Sequence, residues 1–463
     1  MRRSKLGAKP PTAPVTGPGA GAGQTRPVPP SGLPRLLPPA TDTPEELRDH
    51  LERHGFPPYR GERRRLIADI EASGLTGRGG AAFPAHRKLA AVADAGGRPF
   101  VVANAAESEP ASSKDASLLW LAPHLVLDGL QLAAEAVGAR EACLYLHSGP
   151  GDHLAMSLQR ALAQRWDARI DRVTVRLAGA PSRFLAGQET ALVNVLNGGL
   201  ALPAFTPPRV FERGVGGAPT LVQNVETLAH IALIARYGPR WFCGVGTREE
   251  PGSMLCTIHH TDGGVQIVEA ALGTPLSNLL RDDLNDNAHG ERGEGTARPA
   301  QAVLVGGYHG TWIPAIRAAP LTLDNAGLRP AGAAVGAGII AALPAGRCGL
   351  AETARVASYL ALESAGQCGP CLNGLPRIAD SLAELAGPRP SSRARADIER
   401  WAGLISGRGA CRHPDGAARF VASALTVFAG ELSRHKQGKC SATTREPFLP
   451  LPPGAPASDE DWS

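Results

Sequence analysis

Cysteine is scarce in this sequence, with 8 in 463 residues. That is too few for a disulfide scaffold in a chain of this length. Five of them, Cys143, Cys243, Cys256, Cys348 and Cys440, stand singly and read as small buried hydrophobes. Long apolar runs are missing too. The most apolar stretch, 331–345, is short and broken by glycines and Pro344, so it cannot span a bilayer. Met1-Arg-Arg-Ser-Lys carries charge with no apolar run behind it, so a signal peptide is not expected. No stripe of lysine and arginine interleaved with aromatics is present, and the net charge of +5 is mild, which argues against nucleic-acid binding. The expectation is a cytoplasmic protein in a reducing compartment.

What the chain does have is enough material for two or three cores, with 43% hydrophobic and 20% charged residues. Residues 1–42 and 441–463 are rich in proline, glycine and alanine and are expected to be disordered tails. A short capped helix is expected over 43–54, where Thr43-Pro-Glu-Glu supplies a cap and a first-turn proline. Strand patterns at 99–104, 142–147 and 173–177 around a helix at 121–137 predict an α/β domain over 43–248. Further strands at 254–258, 265–269 and 302–305 predict a small mixed domain over 249–335, interrupted by a glycine- and charge-rich loop at 285–299. Alanine and leucine at three- and four-residue spacing predict a helical bundle over 336–440.

The cysteines that are not scattered lie in that bundle. Cys368-Gly-Pro-Cys371 places two soft thiolates on one side of a turn at a helix start, and Cys411 adds a third from a distant segment. Three thiolates suit an iron–sulfur cluster. The same tetrapeptide serves thioredoxin-type dithiols, but that reading wants a strand before it, and a helical run precedes it here. Ala365 stands where a C-x-x-C-x-x-C run would have its first cysteine. The α/β region carries four polar or glycine-rich turns. Gly74-Leu-Thr-Gly-Arg-Gly-Gly-Ala-Ala-Phe-Pro84 precedes a helix holding Lys88, and its glycines permit close approach of a phosphate. Asn104-Ala-Ala-Glu-Ser-Glu-Pro110 ends a strand, where ligands of α/β sheets sit. Gly187-Gln-Glu and Pro219-Thr-Leu-Val-Gln-Asn224 lead into helices. Each turn alone is also an ordinary cap, whereas four together point to one nucleotide pocket.

These motifs, in this order over residues 64–435, resemble the NADH-oxidising flavoprotein component of respiratory complex I, the F-subunit family of bacterial NADH–quinone oxidoreductases. The resemblance implies an α/β flavin-binding domain, a small β-grasp domain of the SLBB type and a C-terminal helical bundle with an iron–sulfur site. It implies FMN contacts at Gly77, Arg78, Gly79, Lys88, Asn104, Glu107, Gly187, Glu189, Val222, Gln223 and Asn224. Phe83 with Gly80 beside it, and Glu109, match positions on the NADH side. Cys368, Cys371 and Cys411 match three of the four cysteines of a [4Fe–4S] cluster. The implied centre is then a [4Fe–4S] cluster with one non-cysteine corner, or a [3Fe–4S] cluster. Water, Ser364, Gln367, His413 and Cys348 are candidates for that corner.

Several positions depart from the family pattern. Ala106 replaces an acidic residue, Gln188 the first glutamate of a Gly-Glu-Glu turn, and Arg183 and Ala91 aromatics. Thr206 and Arg209 replace a lysine and a phenylalanine of the NADH site. The implied function is that of an NADH dehydrogenase (quinone)-like flavoprotein, a component that passes electrons from NADH through FMN and a cluster to a partner. That partner would be the [2Fe–2S] protein that accompanies this family (the E-type component) or a ferredoxin-type protein, with attachment to the inner face of a membrane only through such partners. Two alternatives stay open: a degenerate non-catalytic paralogue, and an FMN and iron–sulfur carrier fed by a donor other than NADH.

Overall fold

Strand β1 (Phe100–Ala105) is apolar up to Asn104 near its carboxyl end because both of its faces are covered. Val101, Ala103 and Ala105 enter one core with the helices Pro123–Val137 and Val225–Tyr237. Phe100 and Val102 enter the other with Leu192 and Val193 of the helix Glu189–Leu196. The two large helices cross so closely that a Cβ on Gly129 would collide with the Leu228 carbonyl. With β2 (Glu141–His147), β3 (Thr174–Ala180) and β4 (Thr220–Asn224), β1 forms a parallel sheet in the order β3-β2-β1-β4. These observations come from a computed structural model describing residues 32–39, 43–147, 152–284, 298–452 and Trp462.

A second sheet follows, made of β5 (Ser253–His259), β6 (Val265–Ala271), β7 (Ala300–Val305), β8 (Thr311–Pro314) and β9 (Ile339–Pro344), in the order β6-β5-β9-β7-β8. Only β5 and β9 run parallel. A last strand inserted between two antiparallel pairs is the β-grasp arrangement. One face of this sheet, with Met254, Cys256, Val303 and Ile340, builds its own core. The other, with Leu304, Trp312, Ile339 and Leu343, packs on the helical bundle. The bundle consists of the helices Gly349–Leu362, Leu375–Ala386, Ala394–Ile405, His413–Val427 and Ala429–Lys436.

Several sequence expectations need correction. The first helix starts at Leu47, not at the Thr43 cap, and Glu46 occupies its N-cap. Residues 220–224 are a sheet strand rather than only a turn, and 339–344 within the most apolar stretch form the central strand β9. The tails are partly ordered. Leu36 is fully buried, and Glu269 accepts the backbone N–H groups of Arg35 and Leu36 at 2.7 and 2.8 Å. At the other end Leu449 is buried, its N–H donates to Glu352 at 3.1 Å, and the Tyr308 hydroxyl donates to the Pro450 carbonyl. A few large apolar groups between prolines suffice to anchor such segments, and averaged composition hides them. Residues 1–31, 453–461 and most of the glycine-rich loop (285–297) lie outside the described residues. Of the five scattered cysteines, Cys143, Cys256 and Cys348 are buried, but Cys243 and Cys440 are exposed.

Candidate functional site

The strand order creates a switch point. From β1 the chain moves to β2 on one side, while β4 inserts on the other, so a crevice opens beyond the carboxyl ends of β1 and β4. Four segments meet there. Gly77 donates its N–H to the Phe83 carbonyl at 2.8 Å and closes the glycine-rich loop. Gly80 adopts φ +106°, a region that suits glycine. A Cβ on Gly79 would lie 3.2 Å from the Asn224 Cβ. Asn104 Nδ2 donates to the Gly187 carbonyl at 2.8 Å, and a Cβ on Gly187 would lie 2.6 Å from the Ala106 oxygen. Lys88 Nζ donates to Glu189 Oε2 at 3.3 Å and to the Val222 carbonyl at 3.4 Å. Gly77, Gly79, Lys88, Asn104, Gly187, Glu189, Val222 and Asn224 are therefore brought together. Gln223 adds a buried Nε2 without a hydrogen-bond partner among the described residues, a donor left over for a ligand.

Three expected contacts have their side chains engaged elsewhere. Arg78 is buried, and its guanidinium donates to the carbonyls of Ser253 (3.2 Å) and Pro251 (3.4 Å) and to Thr76 Oγ1 (2.8 Å). Its backbone N–H donates to Thr227 Oγ1 at 2.9 Å. The Glu107 carboxylate accepts the N–H groups of Asp115 (3.1 Å) and Ala116 (2.9 Å) and the Ser112 hydroxyl, which caps the helix Lys114–Leu121. Glu109 accepts the Tyr308 N–H at 2.8 Å and so joins the α/β domain to the β7–β8 turn. Burial pushes its carboxyl up to about 8, with the Tyr308 amide opposing. Phe83 is 45% exposed, and Thr206 and Arg209 are exposed. Gln188 keeps a capping role, since its Oε1 accepts the N–H groups of Thr190 (2.8 Å) and Ala191 (3.0 Å).

Sequence reasoning missed the charges behind this crevice. Lys114 Nζ is buried between Asp115 Oδ1 and Glu226 Oε2, at 2.7 Å from each. Asn224 Nδ2 donates to Asp115 Oδ2 at 2.6 Å, while Asn224 Oδ1 caps the helix Val225–Tyr237 by accepting the Glu226 N–H. Burial opposes ionisation of Glu226, but Lys114, His230 and Arg78 hold it down at about 2. Burial raises Asp115 to about 6 against the pull of Lys114. An adjacent lysine and aspartate opening an apolar helix was the available signal.

The thiols form the second half of the site. The helix Gly349–Leu362 ends at Glu363, which pairs with Arg183 Nε at 3.1 Å and accepts the Phe184 N–H at 2.8 Å. Cys368 and Cys371 follow at the start of the next helix, the latter buried. Burial, then the neighbouring Cys368, raises the Cys371 thiol, while Ser364 hydrogen-bonds to it and Cys411 acts on it electrostatically. Cys411 in turn interacts with Cys368, and burial raises its thiol as well. The three expected cysteines thus converge, with no strand before the first pair as a dithiol motif would require.

Of the suggested fourth corners, His413 has both ring nitrogens engaged, Nε2 with the Leu360 carbonyl (2.8 Å) and Nδ1 with His309 (3.1 Å). Cys348 sits with His435 and Cys440 instead. Gln367 is exposed, and Ser364 is the one of the four whose side chain hydrogen-bonds to one of the three thiols, that of Cys371. Ala365 packs against the small cluster that includes Leu185, Ala186, Ala201 and Trp462. Arg183, in place of an aromatic, lies 3.9 Å over the Trp462 ring.

Comparison with known proteins accords with this division. A family model described as the Nuo51 FMN-binding domain matches residues 70–233, and one described as the NADH-ubiquinone oxidoreductase-F iron-sulfur binding region matches residues 351–435. The NADH-quinone oxidoreductase F-subunit of Streptomyces coelicolor is 29% identical over 393 residues, covering 81% of this chain and 83% of the relative. The F-subunit of Rickettsia bellii is 31% identical over 320 residues, covering 67% and 75%. A chain of the NAD+-reducing [NiFe]-hydrogenase in its H2-reduced state superposes with a TM-score of 0.71 at 28% identity; the match covers 81% of this chain and 63% of the hydrogenase chain. Both halves of the site thus fall within the matched domains, and the chain belongs to the F-subunit family of NADH-quinone oxidoreductases.

Proposed function

We propose that the chain is an electron-transfer subunit that takes electrons from a reduced nicotinamide cofactor, by way of FMN and an iron–sulfur cluster, to a partner protein. The observation that carries this reading is the segment 183–188, which touches both sites. At one end Arg183 and Phe184 hold Glu363 beside the cysteine-bearing loop, and the Phe184 ring lies 5.6 Å from His413, two residues past Cys411. At the other end Gly187 sits against Asn104 and Ala106 in the crevice.

The residues present fit both groups. At the crevice, a glycine-rich loop, the close backbone approach at Gly187 and the unpartnered Gln223 amide suit a flavin mononucleotide. In the bundle, three converging thiols suit iron and sulfide. Bound there, FMN supplies the conversion of a two-electron donor into single electrons, and the cluster carries them onward one at a time. The chain's own residues do the holding. Gly79 offers a backbone N–H and Lys88 a cation, while the N–H groups of Gly77 and Arg78, held by the Phe83 carbonyl and Thr227 Oγ1, fix the loop; Asn104, Glu189, Val222, Gln223 and Asn224 line the floor. Glu107 shapes the turn by capping a helix. Gly80, Phe83 and Glu109 stand on the nicotinamide side. Cys368, Cys371 and Cys411 hold the cluster, with Ser364 or water at the fourth corner. The relatives are named as subunits, and iron–sulfur proteins of a larger assembly are the proposed acceptors. No single helix among the described residues is long and apolar enough to cross a membrane.

One observation favours a second reading, a flavin and cluster carrier fed by another donor. Arg209 is exposed, and its guanidinium is in no ion pair among the described residues, so it is available to an anion that the family's phenylalanine would not meet. The test common to both is anaerobic reconstitution of the full chain with FMN, iron and sulfide. Flavin bound with about three to four irons per chain is the expected result. Protein that takes up no flavin, or fewer than about two irons with no broad visible absorption, would overturn it.

A further inference from the structure

A second sulfur site lies in the helical bundle, apart from the three cluster thiols. Cys348 is the N-cap of the helix Gly349–Leu362, and its Sγ accepts the Ala351 N–H at 3.4 Å. Cys440 lies beyond the end of the helix Ala429–Lys436, and its Sγ accepts the Ala442 N–H at 3.4 Å. Between them stand Glu431 and His435, one helical turn apart. One ligand atom from each of Cys348, Glu431, His435 and Cys440 falls within 4.8 Å of all the others.

The distances match a small tetrahedral ion. Cys348 Sγ is 3.6 Å from His435 Nε2, and that nitrogen is 3.2 Å from Glu431 Oε1. Zinc bond lengths give tetrahedral edges of about 3.5 Å between sulfur and nitrogen and about 3.4 Å between nitrogen and oxygen. The surroundings are those of a held ligand set. His435 Nδ1 donates to the Leu385 carbonyl at 2.8 Å, which turns the Nε2 lone pair toward the sulfurs. Glu431 Oε1 also accepts the Ser441 N–H at 2.7 Å. Each sulfur accepts one backbone N–H, from Ala351 and from Ala442. Two thiolates, a neutral imidazole and a carboxylate leave a zinc site with one net negative charge, and Arg347 and Lys439 line the same cavity of about 620 Å³. A Cys348–Cys440 disulfide would need neither His435 nor Glu431 at this place.

We propose that Cys348, Glu431, His435 and Cys440 bind a structural zinc ion, displacing both thiol protons. The ion clips the C-terminal segment to the start of the helix whose far end leads into the cluster loop. Beyond Cys440 the chain continues over the bundle, with the Thr443 N–H on the Gly346 carbonyl at 2.8 Å and Leu449 buried. Loss of the ion would free this strap first. The proposal holds whether or not the flavin reading does, because it rests on separate residues.

The test is elemental analysis of full-length, untagged protein after gel filtration, together with cobalt titration of metal-stripped protein. The account expects about one zinc per chain, and cobalt spectra with tetrahedral d–d and thiolate charge-transfer bands. Cys440→Ser, at an exposed position, should lose zinc and weaken cobalt binding by at least about tenfold. It should also expose residues 441–452 to limited proteolysis. Cys371→Ser should lose iron and keep zinc. Zinc absent from the wild type with a Cys348–Cys440 disulfide by non-reducing mass spectrometry would overturn the proposal. So would zinc that survives in the Cys440→Ser, His435→Ala double variant, or zinc that leaves with the Cys371→Ser change, since the metal would then sit at the cluster thiols.

Discussion

At Gly187 an added methyl group would lie 2.6 Å from the Ala106 oxygen, and the obstacle is backbone, which cannot rotate away. Gly187→Ala is therefore expected to push the turn off the strand end, costing about 1–3 kcal/mol of stability, with FMN occupancy falling out of proportion to the drop in melting temperature. Full flavin content in that variant would remove Gly187 from the crevice. Glu109 makes a prediction of opposite character. Its carboxyl titrates near 8 in the fold and near about 4.3 when unfolded, so between those values the native state binds more protons than the unfolded state. Stability from this group is then fully present at low pH and declines as pH rises from about 4.3 toward 8. Glu109→Gln keeps an oxygen for the Tyr308 N–H and abolishes that slope. The melting temperature of the variant relative to wild type should climb from pH 5 to pH 8, and a constant difference would contradict the assignment. At this scale the sequence is legible only in part. That Gly187, Lys88, Asn104 and Asn224 belong together was readable from residue type at turns. That the Arg78 guanidinium and the Glu107 carboxylate point away was not, because side-chain direction depends on which distant carbonyl or helix end lies within reach.

Among the elements, the central parallel strands β1 and β2 were visible as apolar runs because burial on both faces erases alternation. The same rule explains β9, whose apolar stretch did not announce itself as a strand among the glycines before it. β4 was hidden because Gln223 and Asn224 end it with functional groups, a case in which the site overrides the pattern of the element that carries it. The order of the strands, which sets the crevice between β1 and β4, lies in long-range pairing that no local spacing encodes. In the bundle, the helix starts at Cys368 and His413 were legible. The packing of Ala365 against the cluster of Leu185, Ala186, Ala201 and Trp462 was not, since it joins segments far apart in the sequence. Ala365→Cys is expected to supply the absent thiolate and lengthen the lifetime of the visible chromophore in air several-fold, as an all-cysteine cluster is less labile. An unchanged decay would show that the open corner lies elsewhere, with Ser364 the first position to examine.

Over the whole molecule, two cofactor sites are held in register by contacts between domains rather than within them. Glu109 reaches the β7–β8 turn, Ser113 donates its N–H to Thr257 at 3.1 Å, and Glu363 fastens segment 183–188 to the cysteine loop. The central claim is that electrons entering as hydride still reach the thiolate-held cluster. Its most direct test is an anaerobic visible and EPR spectrum of the reconstituted full chain before and after addition of NADH. Bleaching of the flavin band together with a new reduced-cluster EPR signal is the predicted result. A spectrum that NADH leaves unchanged, while dithionite reduces both centres, would contradict it and leave a carrier fed by a different donor.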